Sequence, residues 1–131
     1  MDLTWYSTLA KPALTPPSWV FAPAWTLLYA LMALAAFIVW RRSRGPARRA
    51  ALLAFALQLA LNLAWSPLFF TLHRPDLAFV DLVAMWIAIA ATIVLFARVS
   101  RPAAWLLSPY LAWVTFAGYL NLGVWLLNAG I

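Results

Sequence analysis

Residues Trp5 to Tyr29 read WYSTLAKPALTPPSWVFAPAWTLLY, and the fold follows from how the prolines in this stretch meet its aromatics. Pro12, Pro16 and Pro17 fix φ and withdraw backbone donors, so segment 5–18 is expected to be non-helical and to lie as a stiff lid. Directly after the proline pair, Trp19 opens a long uncharged run in which Phe21, Trp25 and Tyr29 follow. Four aromatics thus gather where a rigid loop meets an apolar helix. A lid in that position implies a cavity beneath it.

Outward from this stretch, the chain breaks at its charges. Spans are expected at about 19–40, 50–72, 77–97 and 102–128, of which only the third carries a charge, Asp81. Each can cross about 30 Å of hydrocarbon at about 1.5 Å per residue. The 131-residue chain is 67% apolar and 9% charged, whereas about a quarter of residues are charged in soluble domains. The connections RRSRGPARR, HRPD and RVSR are short enough to force successive helices antiparallel. The expected fold is therefore all-α. It is a polytopic membrane bundle of four transmembrane helices in one domain, 1–131, with a proline-rich N-terminal lid.

The net charge of +6 sits in the connections, which points to membrane lipids and orientation rather than to nucleic acid. Arg41, Arg42, Arg44, Arg48, Arg49, Arg98 and Arg101 lie on one side, against Lys11 and Arg74 on the other. The expected location is a bacterial cell membrane, with the arginine-rich loops cytoplasmic and both termini outside. Met1 to Pro17 lacks a basic segment followed by an apolar run, so no signal peptide is expected. The chain has no cysteine and one histidine, His73. Disulfides, thiol catalysis and thiolate metal sites fall away, and neither a metal site nor a catalytic group is expected. His73 is read as a solvated loop residue. Asp81, about a turn inside the third span, is as well placed for a structural anchor as for a functional acid.

Polar residues inside the spans form stripes. Gln58, Asn62 and Ser66 recur at i, i+4 and i+8 beside Trp65, and Tyr110, Trp113, Ala117 and Asn121 follow at spacings of three and four. Each set shares one helical face. Two explanations stand for them. Amides and hydroxyls can tie neighbouring helices together at about 0.6 kcal/mol each, or they can line a pocket. Trp65 and Trp113 lie deeper than the interfacial belt, and large rings beside mid-span amides suit a flat, mostly apolar ligand.

The motifs WYxxLxKPxxxPPxWVFxPxWTxLY, QLxLNxxWSPxFF and PYLAWxxFAxxLN, in this order from Trp5 to Asn121, resemble the TspO/MBR family of tryptophan-rich sensory and translocator proteins. The resemblance implies a five-helix membrane fold, often dimeric. It also implies a cavity closed by the first loop that takes porphyrins, sterols or synthetic benzodiazepine-site ligands. Transport, sensing and porphyrin photo-oxidation are all proposed activities of the family. By the resemblance, Trp19, Trp25 and Tyr29, then Asn62, Trp65 and Ser66, then Trp113, Phe116, Ala117 and Asn121 are ligand-binding positions. Ala117 is the small residue that lets a ligand ring approach the backbone, and Lys11, Pro16 and Pro17 belong to the lid.

The chain also departs from the pattern. Only Met1 to Thr4 precede Trp5, so four spans are expected where relatives have five, and self-association as a homodimer is expected on the flank left without a neighbour. Leu14 stands where the family's lid has tryptophan. No Lys or Arg follows Tyr119, so sterol binding is not expected. The function implied is a membrane receptor or carrier with a haem-type tetrapyrrole as ligand, no required cofactor and no assigned enzyme activity. The alternatives are a proton-coupled multidrug exporter dimer, in which Asp81 would be central to binding cations, and a light-dependent porphyrin-degrading enzyme.

Overall fold

The computed structural model describes residues 3–128, the side chains at 3, 4 and 18 excepted. Helix α1, Leu3–Ser7, leads through the lid to a 3-10 turn at Ser18–Val20. Four long helices follow: α2, Phe21–Arg42; α3, Gly45–Ser66, prolonged by a π-turn at Pro67–Thr71; α4, Pro75–Ala97; and α5, Arg101–Leu127. All four are long and apolar enough to cross a membrane, and with their composition they make this an integral membrane protein.

The lid differs from the expectation at its beginning. Leu3–Ser7 is helical because the first ring that forbids helix comes only at Pro12, leaving five residues free to close a turn. Helix α3 also begins earlier than its uncharged core, so Arg48 and Arg49 lie within the helix, near its start. The connection to α2 shrinks to Ser43–Arg44, with Gly45 at φ 60°, a left-handed conformation that glycine adopts without a Cβ clash.

Proline sets several of these boundaries. Pro46, Pro75 and Pro102 occupy first turns, where a missing N–H strands nothing. Pro67 cannot supply its N–H to the preceding turn, and the chain widens so that Leu72 N–H donates to Pro67 O at 2.9 Å. That widening turns both Phe69 and Phe70 inward, at 2% and 6% exposure. Pro109, inside α5, leaves Trp105 O without its regular donor, and the Ser108 hydroxyl donates to that carbonyl at 2.7 Å. In hydrocarbon an unmatched carbonyl would be costly, so the serine compensates the proline.

Helix α4 packs along both α3 and α5, and α2 leans on α5. Contact between α2 and α3 is sparse, although they are neighbours in sequence. The spatial order is thus α3–α4–α5–α2, and the bundle is splayed between its first and last members. The core fills the remainder: Leu28, Met32, Ala35 and Val39 form the inner stripe of α2, and the buried alanines Ala51, Ala78 and Ala103 allow close helix approach. At the arginine end Arg48 Nη2 donates to Trp40 O at 2.6 Å, with its guanidinium 5.0 Å from the Trp40 ring centroid, and so pins the α2–α3 corner.

Candidate functional site

The helices enclose a cavity of about 380 Å³ at the lid end. Helix α2 supplies Phe21, Trp25 and Tyr29; α3 supplies Asn62, Trp65 and Ser66; α4 supplies Leu82 and Met85; α5 supplies Trp113, Ala117 and Asn121. Tyr6 and Thr15 come down from the N-terminal segment. The rings meet edge to face: Trp25 and Trp113 lie 6.4 Å apart at 88°, and Phe21 and Trp113 6.1 Å apart at 71°. On the opposite wall Trp65 stacks on Phe69 at 5.0 Å. The lining carries no charged residue.

Both polar stripes reach this cavity, but most of their hydrogen-bonding capacity is already committed to protein. Tyr29 OH donates to Asn62 Oδ1. Asn62 Nδ2 donates to Tyr110 OH at 2.7 Å, and Tyr110 OH donates to Gln58 Oε1 at 2.6 Å. On the other side Trp65 Nε1 donates to Asn121 Oδ1 at 2.9 Å, and Asn121 Nδ2 to Pro75 O at 2.8 Å. The orientation of the Asn121 amide is fixed, because an indole can only donate and a carbonyl can only accept. The two explanations left open for the stripes therefore merge: the amides tie helices together, and in doing so they stand in the cavity wall. Trp113 is different. Among the described residues its buried Nε1 has no hydrogen-bond partner, which leaves one donor unmatched in the packed wall.

Other predicted positions lie apart from the lining. Trp19 is 73% exposed and points away, because the 3-10 turn at Ser18–Val20 rotates it off the face that carries Phe21 and Trp25. Phe116 packs ring to ring on Trp113 at 5.9 Å without lining the cavity. Lys11, Pro16 and Pro17 shape the lid from outside: Lys11 Nζ bonds Leu9 O at 3.2 Å and lies 4.7 Å from the Tyr6 ring centroid, and Pro17 O accepts from Val20 N–H. Burial pushes the Tyr6 phenol above its ordinary value, so it meets the cavity as a neutral group. Asp81 is half-buried, has one carboxylate oxygen with no partner among the described residues, and is not in the lining. His73 stacks on Trp5 at 4.3 Å.

The site residues that sequence reasoning did not name include Tyr6, Thr15, Phe69, Phe70, Leu82 and Met85, together with the apolar Ala22, Leu63, Val114, Leu120 and Val124. Tyr6 was visible in the opening stretch, and the Pro67 signal could have indicated that two consecutive phenylalanines turn inward. Nothing in the spacing of α4 marks Leu82 or Met85.

The lid is held to α5 at several points. Ala10 N–H donates to Asn128 Oδ1 at 3.1 Å, Asn128 Nδ2 donates to Ala10 O at 2.8 Å, and Tyr119 OH donates to Ala13 O at 2.7 Å. Between these ties Pro12 sits so close to Gly123 that a Cβ there would lie 2.6 Å from its ring. Leu14, at the apex, has φ 71° and is 82% exposed.

Comparison with known proteins agrees with this architecture. The TspO/MBR family model matches residues 1–126. The chain is 44% identical over 128 residues to the tryptophan-rich protein TspO of Chlorobaculum tepidum, covering 95% of this chain and 79% of that one. It is also 44% identical over 128 residues to the translocator protein of Ovis aries, covering 96% and 76%. With the protein CrtK of Rhodobacter capsulatus the identity is 42% over 127 residues, covering 96% and 79%. Such identity along nearly all of an apolar four-span chain leaves one conclusion: the protein belongs to the TspO/MBR family.

Proposed function

We propose that the protein is a membrane receptor or carrier that holds a flat, largely apolar ligand, most naturally a tetrapyrrole, in the cavity beneath its lid. The observation that carries this is the cavity itself: about 380 Å³, without a charged lining residue and with Trp25, Trp65 and Trp113 in its wall. That volume falls within the roughly 300–1,000 Å³ of small-molecule sites. Uncharged indole walls favour an extended π-system. Relatives named translocator protein and tryptophan-rich protein are consistent with a binding or carrying role. The exporter alternative places binding on Asp81, which is not among the lining residues, and is the weaker reading for that reason.

The test is quenching of indole emission by protoporphyrin IX in detergent. Ala117→Leu is expected to raise Kd about tenfold, since overfilling a packed wall costs about 1–3 kcal/mol, while Asp81→Asn leaves Kd within about twofold. The reverse order, with Asp81→Asn abolishing binding and Ala117→Leu harmless, moves the site to the acid and favours the exporter.

A further inference from the structure

We propose that the lid is a lipid-immersed clasp: its apex, Leu14, dips among the acyl chains of the leaflet at the lid end, so that the bilayer itself helps to hold the cavity closed. Immersion of the lid is independent of the tetrapyrrole role proposed above.

Three observations converge on the apex. The first is its depth. Phe21, the first residue of α2, packs on Trp113 with ring centroids 6.1 Å apart, and Trp113 lies fourteen residues before Leu127, the end of α5. At about 1.5 Å per residue, α5 stands about 20 Å beyond the start of α2. The lid occupies the flank of α5 so left bare, and it descends as it goes: Ala10 meets Asn128, Pro12 meets Gly123 and Ala13 meets Tyr119. From Asn128 to Tyr119 the drop along α5 is about 13 Å. Pro75 O, between the paired Arg74 and Asp76, accepts from Asn121, and that ion pair marks the headgroup level because charge is costly in hydrocarbon. Side chains tilt toward the N-terminus of their helix, so the Tyr119 hydroxyl, and Ala13 with it, lies on the bilayer side of that level.

The second observation is how the lid treats its own polar groups. Irregular backbone at such depth needs them matched. Pro12, Pro16 and Pro17 have no N–H to strand. The N–H and carbonyl of Ala10 are both taken by the Asn128 amide. The Thr15 hydroxyl donates to Pro12 O at 2.7 Å, the Tyr119 hydroxyl to Ala13 O at 2.7 Å, and Val20 N–H to Pro17 O at 3.0 Å. In water, solvent would serve the same carbonyls. The third observation is the surface. Leu14 is 82% exposed, more than any other large apolar side chain among the described residues. It hangs from an outer face of α5 that carries exposed Ala112, Tyr119 and Leu126 in succession, so the apex lies against a continuous lipid-facing surface. Helix α5 does not border the flank between α2 and α3, and the exposure of the apex does not turn on what covers that flank. At φ 71° an asparagine would be less strained than leucine, and acyl chains around the apex account for an apolar residue there.

The chain's lack of cysteine allows a direct test. A nitroxide on Leu14→Cys, in phosphatidylcholine vesicles, is relaxed either by oxygen, which concentrates in hydrocarbon, or by a nickel chelate confined to water. Nitroxides on Val83→Cys, 43% exposed on α4, and on Arg44→Cys, exposed in the opposite loop, give the lipid and water references. The label at Leu14→Cys is expected to match the lipid reference, with an oxygen-to-nickel ratio about tenfold above that at Arg44→Cys. Leu14→Asn gives a second readout of opposite sign for the two environments. In water asparagine relieves the positive φ and steadies the lid. Among acyl chains its amide is unmatched, and hydrogen exchange of the peptide around Ala10 to Thr15 in vesicles is expected to run about tenfold faster, with α4 unchanged. The proposal is overturned if nickel relaxes Leu14→Cys as it does Arg44→Cys, if neither reagent reaches it, which would put protein over the apex, or if Leu14→Asn leaves lid exchange unchanged or slower. No tetrapyrrole takes part, so a failure of protoporphyrin binding and a failure of lid immersion are separate results.

Discussion

Replacing Gly123 by alanine should release the lid without unfolding the bundle. A Cβ built at Gly123 lies 2.6, 2.7 and 3.1 Å from Pro12 Cγ, Cβ and Cδ. Ordinary carbon contacts are about 3.5–4.0 Å, so the two segments must part by roughly 1 Å. The obstacle is a rigid ring, unlike a flexible side-chain end that could swing aside. Pro12 lies between Ala10 and Ala13, whose ties to α5 are 2.7–3.1 Å long; adding about 1 Å takes all three beyond hydrogen-bond range. At about 0.5–1.5 kcal/mol each the lid loses about 1.5–4.5 kcal/mol of local stability. Helix α5 gains up to about 1 kcal/mol from exchanging glycine for alanine. Local opening thus dominates while the global melting temperature moves little. Hydrogen exchange read by mass spectrometry should show the peptide around Ala10 to Thr15 exchanging at least about tenfold faster, with α4 unchanged. Gly118 is the control within the same helix: there a Cβ meets only Leu82 Cδ2, at 3.1 Å, a movable tip, so Gly118→Ala should leave lid exchange as it was. Unchanged lid exchange in Gly123→Ala, or equal loosening in Gly118→Ala, would refute the argument that this one close approach holds the lid.

Two further outcomes can be checked independently. Tyr110→Phe removes the hydroxyl that accepts from Asn62 and donates to Gln58, and two buried cross-helix bonds within a membrane protein should cost about 1–3 kcal/mol; a thermal midpoint in detergent equal to that of the parent would mean the network holds nothing together. We also propose that the arginine end faces the cytoplasm, because arginine-rich short loops favour that side. A reporter inserted at Gly45 should then be active inside, and one fused after Ile131, which lies outside the described residues, should be active outside; the inverse pattern reverses the orientation but leaves the four spans.

Much of this protein is decided by its sequence alone. The four spans are legible because hydrocarbon disfavours charge and unpaired backbone, so the long apolar runs set off by Arg41, Arg74 and Arg98, of which only the third span carries a charge, Asp81, read as helices of membrane length. The inward faces of α3 and α5 are legible too, since a helical repeat places Asn62 and Ser66, or Trp113, Ala117 and Asn121, on one side of their own axis. A repeat does not say which helix that side meets. Only the tertiary structure sets α2 against α5 and leaves it splayed from α3, because helix order depends on how whole surfaces pack and not on the two-residue turn that joins neighbours. The same limit explains Trp19, turned away by a 3-10 turn that no spacing reveals, and Tyr6 and Thr15, brought to the cavity by lid contacts with residues more than a hundred positions distant. It also explains why Asn62 and Asn121 are committed to protein partners while the Trp113 N–H is not: whether a polar group is spent or free depends on distances of about 3 Å between helices, and those exist only once the helices have packed.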